Sequence, residues 1–334
     1  MTSSGPVLMA DVAKRARVSV MTVSRVLNGF PGVADPTRRR VEAAVAELGY
    51  RANTAARVLA GGRSRTLGVV AVESEQFGPS HMLFGIEAAA RAAGHLLTFV
   101  SLRHQDGADM RSALEHLRTA HVDGVVVVAP VRPVVEAVRT LEDDLPLVVV
   151  GGDPSIAAAT VTIDQREGAR LATGHLLDLG HRTVHHVSGP RAWIDASARR
   201  RGWNEELRSR GVAPGVCLVG DWSARSGYAA GRRLAEDCNM TAVFAANDQM
   251  ALGVIRALHE QGRKVPDDAS VVGFDDTPES AFFIPSLTTI RQDFEEVGRR
   301  CVELLRSLLD GGPGAHVVVP ARLITRNSEA PFGP

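Results

Sequence analysis

From Leu67 onward, short aliphatic runs recur with room for one helix between them: "LGVVAV", "LLTFVSL", "DGVVVVAP" and "LPLVVVGG". A second series follows in "TVHHVSG", "AVFAAND" and "ASVVGFDD". Continuous rather than alternating apolar runs mark strands buried on both faces, as in parallel sheets covered by helices. Two such series predict an α/β body of two Rossmann-like lobes. Sheets of this kind bind ligands in a crevice beyond the carboxyl ends of their strands. The polar strand ends "AAND", "GFDD" and "TTIRQD" are therefore expected to converge on a cleft between the lobes.

The residues before Leu67 follow a helical period instead. "MADVAKRA" places Val12, Ala13 and Ala16 on one face. Ser19 is a good cap for a second helix from Val20 to Asn28, with Val23, Val26 and Leu27 inward and Gly29 as its stop. A third helix is expected to start at Asp35-Pro36, as cap and first-turn proline, with Val41, Ala44, Val45 and Leu48 inward. Three short helices with a tight turn after the first describe an all-α helix-turn-helix headpiece. On the second helix Val20, Met21 and Arg25 would face base edges, the arginine pairing with guanine and the apolar pair meeting thymine methyls. Ser19, Thr22 and Asn28 would hold phosphates.

Charge supports that division. The 334-residue chain has zero net charge, yet residues 1–65 carry 11 Arg/Lys against 4 Asp/Glu, and the remainder 27 against 34. A basic head on an acidic body points to a polyanion at the head alone. No apolar run approaches the roughly 18–20 residues of a membrane span, and "MTSSGPVLMADVAKRA" lacks the basic-then-apolar order of a secretory signal. The expected location is cytoplasmic, at the nucleoid, without a membrane partner. Cys217, Cys238 and Cys301 are odd in number and far apart, which suits buried free thiols rather than disulfides or a metal pair. His185-His186 lie mid-strand, where alternation sends them to opposite faces, away from a shared metal. No phosphate loop, HExxH or catalytic constellation stands out, so neither catalytic residues, cofactor nor metal is expected.

The segment "MADVAKRARVSVMTVSRVLNG" resembles the head of the lactose/galactose repressor (LacI/GalR) family over residues 9–50. "GDWSARSGY", "ANDQMALG", "SVVGFDDT" and "IPSLTTIRQDF" are similar to segments of its periplasmic-binding-protein-like effector domain, so the resemblance runs to about residue 328. The implied arrangement is a DNA-binding head over 1–52, a hinge over 53–65 and an effector-binding body over 66–330. The N-lobe would comprise about 66–164 and 292–317, the C-lobe about 165–291 and 318–328. Asn53 can cap the hinge and Gly61-Gly62 end it, a helix too short to be stable alone. By resemblance Leu59 wedges into the minor groove at the centre of the operator, with Ala56 beside it.

The resemblance also implies a sugar site. Arg199 would hold vicinal hydroxyls, Asn247 and Asp275 further hydroxyls, and Gln292 the polar rim. Trp222 and Phe294 would lie against the apolar side of the sugar, with Pro79 and Met82 from the N-lobe. The same residues have structural readings: Asn247 as a helix cap, Asp275 and Asp276 as caps, Trp222 as core, Arg199 as a salt-bridge partner. The chain departs from the lactose-type pattern on the N-lobe, where Gly151 replaces a pocket aspartate with Asp153 two residues on. Ile163 replaces an aromatic and Gln76 a leucine. After "LITRNSEAPFGP" no leucine-heptad helix follows, so a homodimer is expected, with Met250 and Leu252 as candidate interface residues. The implied function is a repressor of a saccharide operon, with a galactoside as inducer and operator DNA as partner. A co-repressor mode, a transporter's solute-binding protein and a saccharide-processing enzyme are the other readings.

Overall fold

A computed structural model describes residues 7–27, 30–50, 63–104, 106–140, 145–151, 157 and 159–333. The chain divides into two compact units, residues 1–64 and 65–334.

The first unit contains α1 (Met9–Ala16), α2 (Val20–Leu27) and α3 (Asp35–Leu48). Its core is small: Val12, Ala13, Ala16, Val23, Val26, Val41 and Ala44, the inward residues of three amphipathic stripes. Val45, Leu48 and Leu27 pack at its margin. α1 ends because Arg17 turns left-handed (φ 53°), and its N–H reaches back to the carbonyls of Ala13 and Lys14. That reversal turns the chain directly into α2. Asp35 lies within α3 rather than before it, since Ala34 holds the cap position and offers no side-chain hydrogen bond.

The second unit builds two six-stranded sheets. The first has the order β11-β5-β4-β3-β1-β2, formed by β1 (Thr66–Val72), β2 (Leu96–Leu102), β3 (Gly124–Val128), β4 (Leu147–Val150), β5 (Thr160–Ile163) and β11 (His316–Val319). The second has the order β12-β10-β9-β8-β6-β7, from β6 (His185–Ser188), β7 (Cys217–Val219), β8 (Ala242–Ala245), β9 (Ser270–Asp275), β10 (Thr288–Arg291) and β12 (Arg322–Ile324). All pairings are parallel except β10 with β12. The aliphatic runs read from the sequence are strands; β5, β7, β11 and β12, at three or four residues, were not read, although β11 carries three valines.

The helices α4 (Phe77–Ala92), α5 (Gly107–Thr119), α6 (Arg132–Arg139) and α11 (Phe294–Leu309) cover the first sheet. α7 (Gln165–Asp178), α8 (Ile194–Ser209), α9 (Ala224–Leu234) and α10 (Asp248–Glu260) cover the second. One apolar cluster runs through both lobes, including Leu67, Ile86, Val161, Leu176, Trp203, Phe244, Phe274 and Leu305. The chain crosses between the lobes three times, after β5, after β10 and between β11 and β12. Asp164 and Asp293 cap α7 and α11 at the first two crossings, accepting from Glu167 N and Glu296 N. Each cap satisfies a helix-end donor at a point where the chain changes lobe.

Two expectations about surface exposure are corrected. Met250 is fully buried in the core of its own lobe, because α9 and α10 meet backbone to backbone at Gly227 and Gly253; Leu252 is exposed. Of the free thiols only Cys301 is buried, Cys217 being intermediate and Cys238 exposed. His185 and His186 are both buried and bond to separate backbone groups, Val216 N and Phe244 O. His186 is stacked between Trp203 and Phe244, and burial holds it neutral, its pKa lowered to about 4.

α4 and α11 touch at Gly85 and Gly298. A Cβ on Gly298 would lie 2.1 Å from the Gly85 backbone, and one on Gly85 2.2 Å from the Phe294 carbonyl. Gly298→Ala must force these helices apart and is expected to lower body stability by about 1–3 kcal/mol. Urea unfolding followed by tryptophan fluorescence, in which the body's Trp193, Trp203 and Trp222 report, will show the shifted midpoint.

Candidate functional site

On α2 the cap forms as read from the sequence. Ser19 Oγ accepts from Thr22 N at 3.1 Å and shares a hydrogen bond with Thr22 Oγ1 at 2.9 Å. Val20 and Met21 point into solvent at 47% and 65% exposure, although buried apolar positions lie on the same helix. Arg25 is exposed and makes no ion pair among the described residues. The face thus presents two apolar side chains and one cation beside the hydroxyls of Ser19 and Thr22. Asn28, Ala56 and Leu59, and most of the expected hinge, lie outside the described residues, as does Asp153.

In the body, the carboxyl ends of β3, β4, β8 and β9 open on a cleft-like cavity between the lobes. Arg199, Trp222, Asn247, Asp275, Gln292, Phe294, Pro79 and Met82 all line it. Gln76 and Gly151 line it too; Ile163 does not, being packed in the core. The cavity also takes in Phe77, Val128, Pro130, Val150, Trp193 and Asp195, none of which was read from the sequence. The spacing of Asp195 and Arg199, one helical turn apart on α8, was the available signal for the acid.

The C-lobe wall is fixed by a buried hydrogen-bond chain. Arg199 Nε donates to Gln165 Oε1 at 2.9 Å, Gln165 Nε2 to Gln292 Oε1 at 2.7 Å, and Gln292 Nε2 to Asp275 Oδ1 at 2.6 Å. Arg199 Nη2 closes the ring at 3.4 Å from Asp275 Oδ1, and Nη1 donates to the Ala246 carbonyl. The guanidinium lies 3.7 Å from the centroid of Phe274, a favourable cation–π position. Asn247 caps α10, accepting from Met250 N at 3.0 Å, while its amide donates to Trp222 O and Gln249 Oε1. Its cap and cavity roles therefore coexist. Next to it, buried Asp248 accepts from Thr277 N, Ser280 Oγ and Thr289 Oγ1, tying the start of α10 to β10.

Trp222 sits edge-on to Trp193 with ring centroids 5.5 Å apart, and its φ of 76° places the backbone in the left-handed region. The buried indole Nε1 has no hydrogen-bond partner among the described residues. Burial raises the pKa of Asp275 to about 7, against the opposing pull of Arg199, and raises that of Asp195 as well. Among the described residues no group of three or more His, Cys, Asp or Glu is arranged to hold a metal. The hydrogen-bonded polar groups share the C-lobe side of the cavity with Trp193 and Trp222, and Phe77, Phe294 and aliphatic side chains form most of the N-lobe side.

Residues 8–53 match the family model for bacterial regulatory proteins of the lacI family, and residues 173–329 that for a periplasmic binding protein-like domain. The lactose operon repressor of Escherichia coli strain K12 is 36% identical over 330 residues, covering 97% of this chain and 91% of that protein. The chain belongs to the LacI family of bacterial regulatory proteins. Another relative, the HTH-type transcriptional regulator CelR of Thermobifida fusca, is 34% identical over 324 residues, 94% of each chain. The crystal structure of the Lac repressor dimer bound to operator and the anti-inducer ONPF superposes with a TM-score of 0.86 at 34% identity, covering 98% of this chain and all of that one. The CelR–cellobiose complex gives 0.70 at 31% identity, covering 96% and 99%. As a LacI-family protein the chain is a DNA-binding transcriptional regulator with an effector-binding body, and its relatives are regulators rather than enzymes.

The shifted acid gives this LacI-family body a pH signature. Asp275 binds a proton more tightly folded (about 7) than unfolded (about 3.9), so its contribution is complete below pH 4 and is lost as pH rises through 7. Asp275→Asn should therefore flatten the fall of the unliganded melting temperature between pH 5 and 8. Parallel wild-type and variant profiles would contradict this.

Proposed function

We propose that this chain is an inducible repressor of a saccharide-utilisation operon, acting in the cytoplasm as a homodimer on operator DNA, with a galactoside as inducer. The observation that carries the reading is the cavity itself. A saccharide offers hydroxyls around its ring edge and C–H groups on its face, and needs planar polar groups opposite the first and aromatic surface against the second. Arg199, Asn247, Asp275 and Gln292 supply the one, and Trp222 and Phe294 the other. The similarity to lactose operon repressors favours a galactoside, and Gly151 and Gln76 mark where the N-lobe wall differs from the lactose-type pattern.

In this mechanism α2 reads each half-site. Val20 and Met21 meet thymine methyls, Arg25 a guanine, and Ser19, Thr22 and Asn28 the phosphates. The segment 53–65 folds as a helix on the operator, with Leu59 as the wedge and Ala56 beside it. Sugar bound between the lobes favours a lobe arrangement in which the paired hinges part. Operator affinity then falls by no more than the sugar's differential affinity for the two states.

The test is a gel shift on the palindrome nearest the protein's own gene, repeated with sugars added. The expected result is specific retardation that a galactoside relieves; a sugar that tightens binding would replace the inducer by a co-repressor. Arg25→Ala should weaken specific binding by roughly 10- to 100-fold, the worth of one bidentate guanine contact. Arg199→Ala should bind operator without sugar yet fail to release it with sugar. A normal release would remove Arg199 from the site.

A further inference from the structure

A second pocket lies on the seam between the lobes, lined by Arg132, Arg191, Ala192 and Arg200. None of the four lines the inter-lobe cavity described above. Three of them carry a guanidinium, and no acidic side chain stands among them. All three arginines are exposed, and none makes an ion pair or a side-chain hydrogen bond among the described residues. Arg166 and Arg170 on α7 and Arg210 at the end of α8 are, by contrast, each paired with a carboxylate. The unpaired trio also sits in an acidic body, since residues 66–334 carry 27 Arg/Lys against 34 Asp/Glu.

Backbone geometry holds the three cations together. Residues 130–132 follow β3 in the N-lobe, and residues 192–194 follow β6 in the C-lobe. Val131 and Trp193 form an isolated antiparallel bridge. Arg132 N donates to the Ala192 carbonyl at 3.2 Å, and Ile194 N to the Pro130 carbonyl at 3.0 Å. Arg132 is thereby fixed on one lobe beside Arg191 and Arg200 on the other. The bridge also brings two helix starts together, for α6 begins at Arg132 and α8 at Ile194. Their N-cap residues, Val131 and Trp193, supply no side-chain cap. The positive helix ends therefore add to the field of the guanidiniums, and both favour an anion.

We propose that this pocket is a second, anion-binding site, in which a phosphate group bridges the lobes by accepting from Arg132 of the N-lobe and from Arg191 and Arg200 of the C-lobe. A phosphate offers several strong acceptor oxygens to guanidinium forks that arrive from different elements. The site differs from the inter-lobe cavity in residues and in ligand charge, and it stands whether or not that cavity takes a saccharide. An anion held by both lobes favours the arrangement in which Val131 and Trp193 are paired. It is therefore coupled to any ligand whose affinity depends on how the lobes sit. The phosphate comes either as the free inorganic ion or on a sugar ester whose remainder reaches the neighbouring cavity, where Pro130 and Trp193 of the same seam form part of the lining.

Isothermal titration of the full-length protein tests the site, with inorganic phosphate, galactose 6-phosphate and glucose 6-phosphate as probes at an ionic strength held near about 0.1 M with chloride. Wild type should bind at least one probe. Arg132→Gln and Arg200→Gln each remove one exposed cation, and each should weaken that probe by about tenfold, the worth of a hydrogen bond to a charged group. Arg25→Ala, which removes a cation of the head instead, should leave the affinity unchanged. An unfolding transition without ligand verifies that each variant is folded. A response to inorganic phosphate identifies the free ion as ligand, and a response to an ester alone identifies the sugar-borne group; both support the site. Wild type that binds none of the three overturns it, as does binding that neither body variant weakens. Loss in Arg200→Gln with full affinity in Arg132→Gln overturns the bridging of the lobes.

Discussion

The buried chain from Arg199 through Gln165 and Gln292 to Asp275 is the interaction on which the body depends. Gln165 opens the helix after the first lobe crossing, and Gln292 lies in the second crossing. Their amide-to-amide bond ties those two crossings together directly beneath the cavity. Arg199 and Asp275 anchor the ends of that bond, and both are cavity walls. Side chains that line the cavity are thus the same ones that fix the connections between lobes. In so dry a place each polar atom is costly without its partner, so the network stands or falls as a unit.

This arrangement explains why polar residues sit at strand ends that are otherwise aliphatic. Asp275 ends β9 with a backbone φ of 111°, and Asp276 follows at 56°. Asp276 is itself paired with Arg291 and Arg326, so the strained turn is clamped from β10 and from the segment after β12. Asp248, one residue beyond Asn247, is pushed up to about 6 by burial and opposed by its hydroxyl and amide donors. The C-terminal lobe accepts these costs of desolvation in one small volume, beside the cavity between the lobes.

Much of this was legible in the sequence, for definite reasons. The long aliphatic runs could form only buried parallel strands, and the stripe of Val12, Val23 and Val41 could form only a small helical core. Ser19 and Asn247 announced their helices by cap chemistry. Of the strands missed, β5 and β12 mix polar with apolar residues, β7 has three residues and β11 has its three valines next to a proline, and the pairing of all four is decided by the neighbouring sheet. Met250 reads as an outward residue until the glycine contacts of α9 and α10 bring that face inside. Asp195 was hidden in "DASARRR", where an acid ahead of arginines reads as a first-turn charge favourable to the helix dipole. Only the meeting of the two lobes places it at a cavity wall.

The contact between Gly85 and Gly298 has a consequence for how such a protein diversifies. With two backbones pressed together, α4 and α11 form a single slab, and Phe294 and Met82 are carried on it as fixtures. The opposite wall is interlocked by its amides and carboxylates. What remains free to vary without disturbing either is the rim formed by Gln76, Gly151 and the aliphatic ends of β3 and β4. A change of residue along that rim would therefore alter the cavity without loosening either wall.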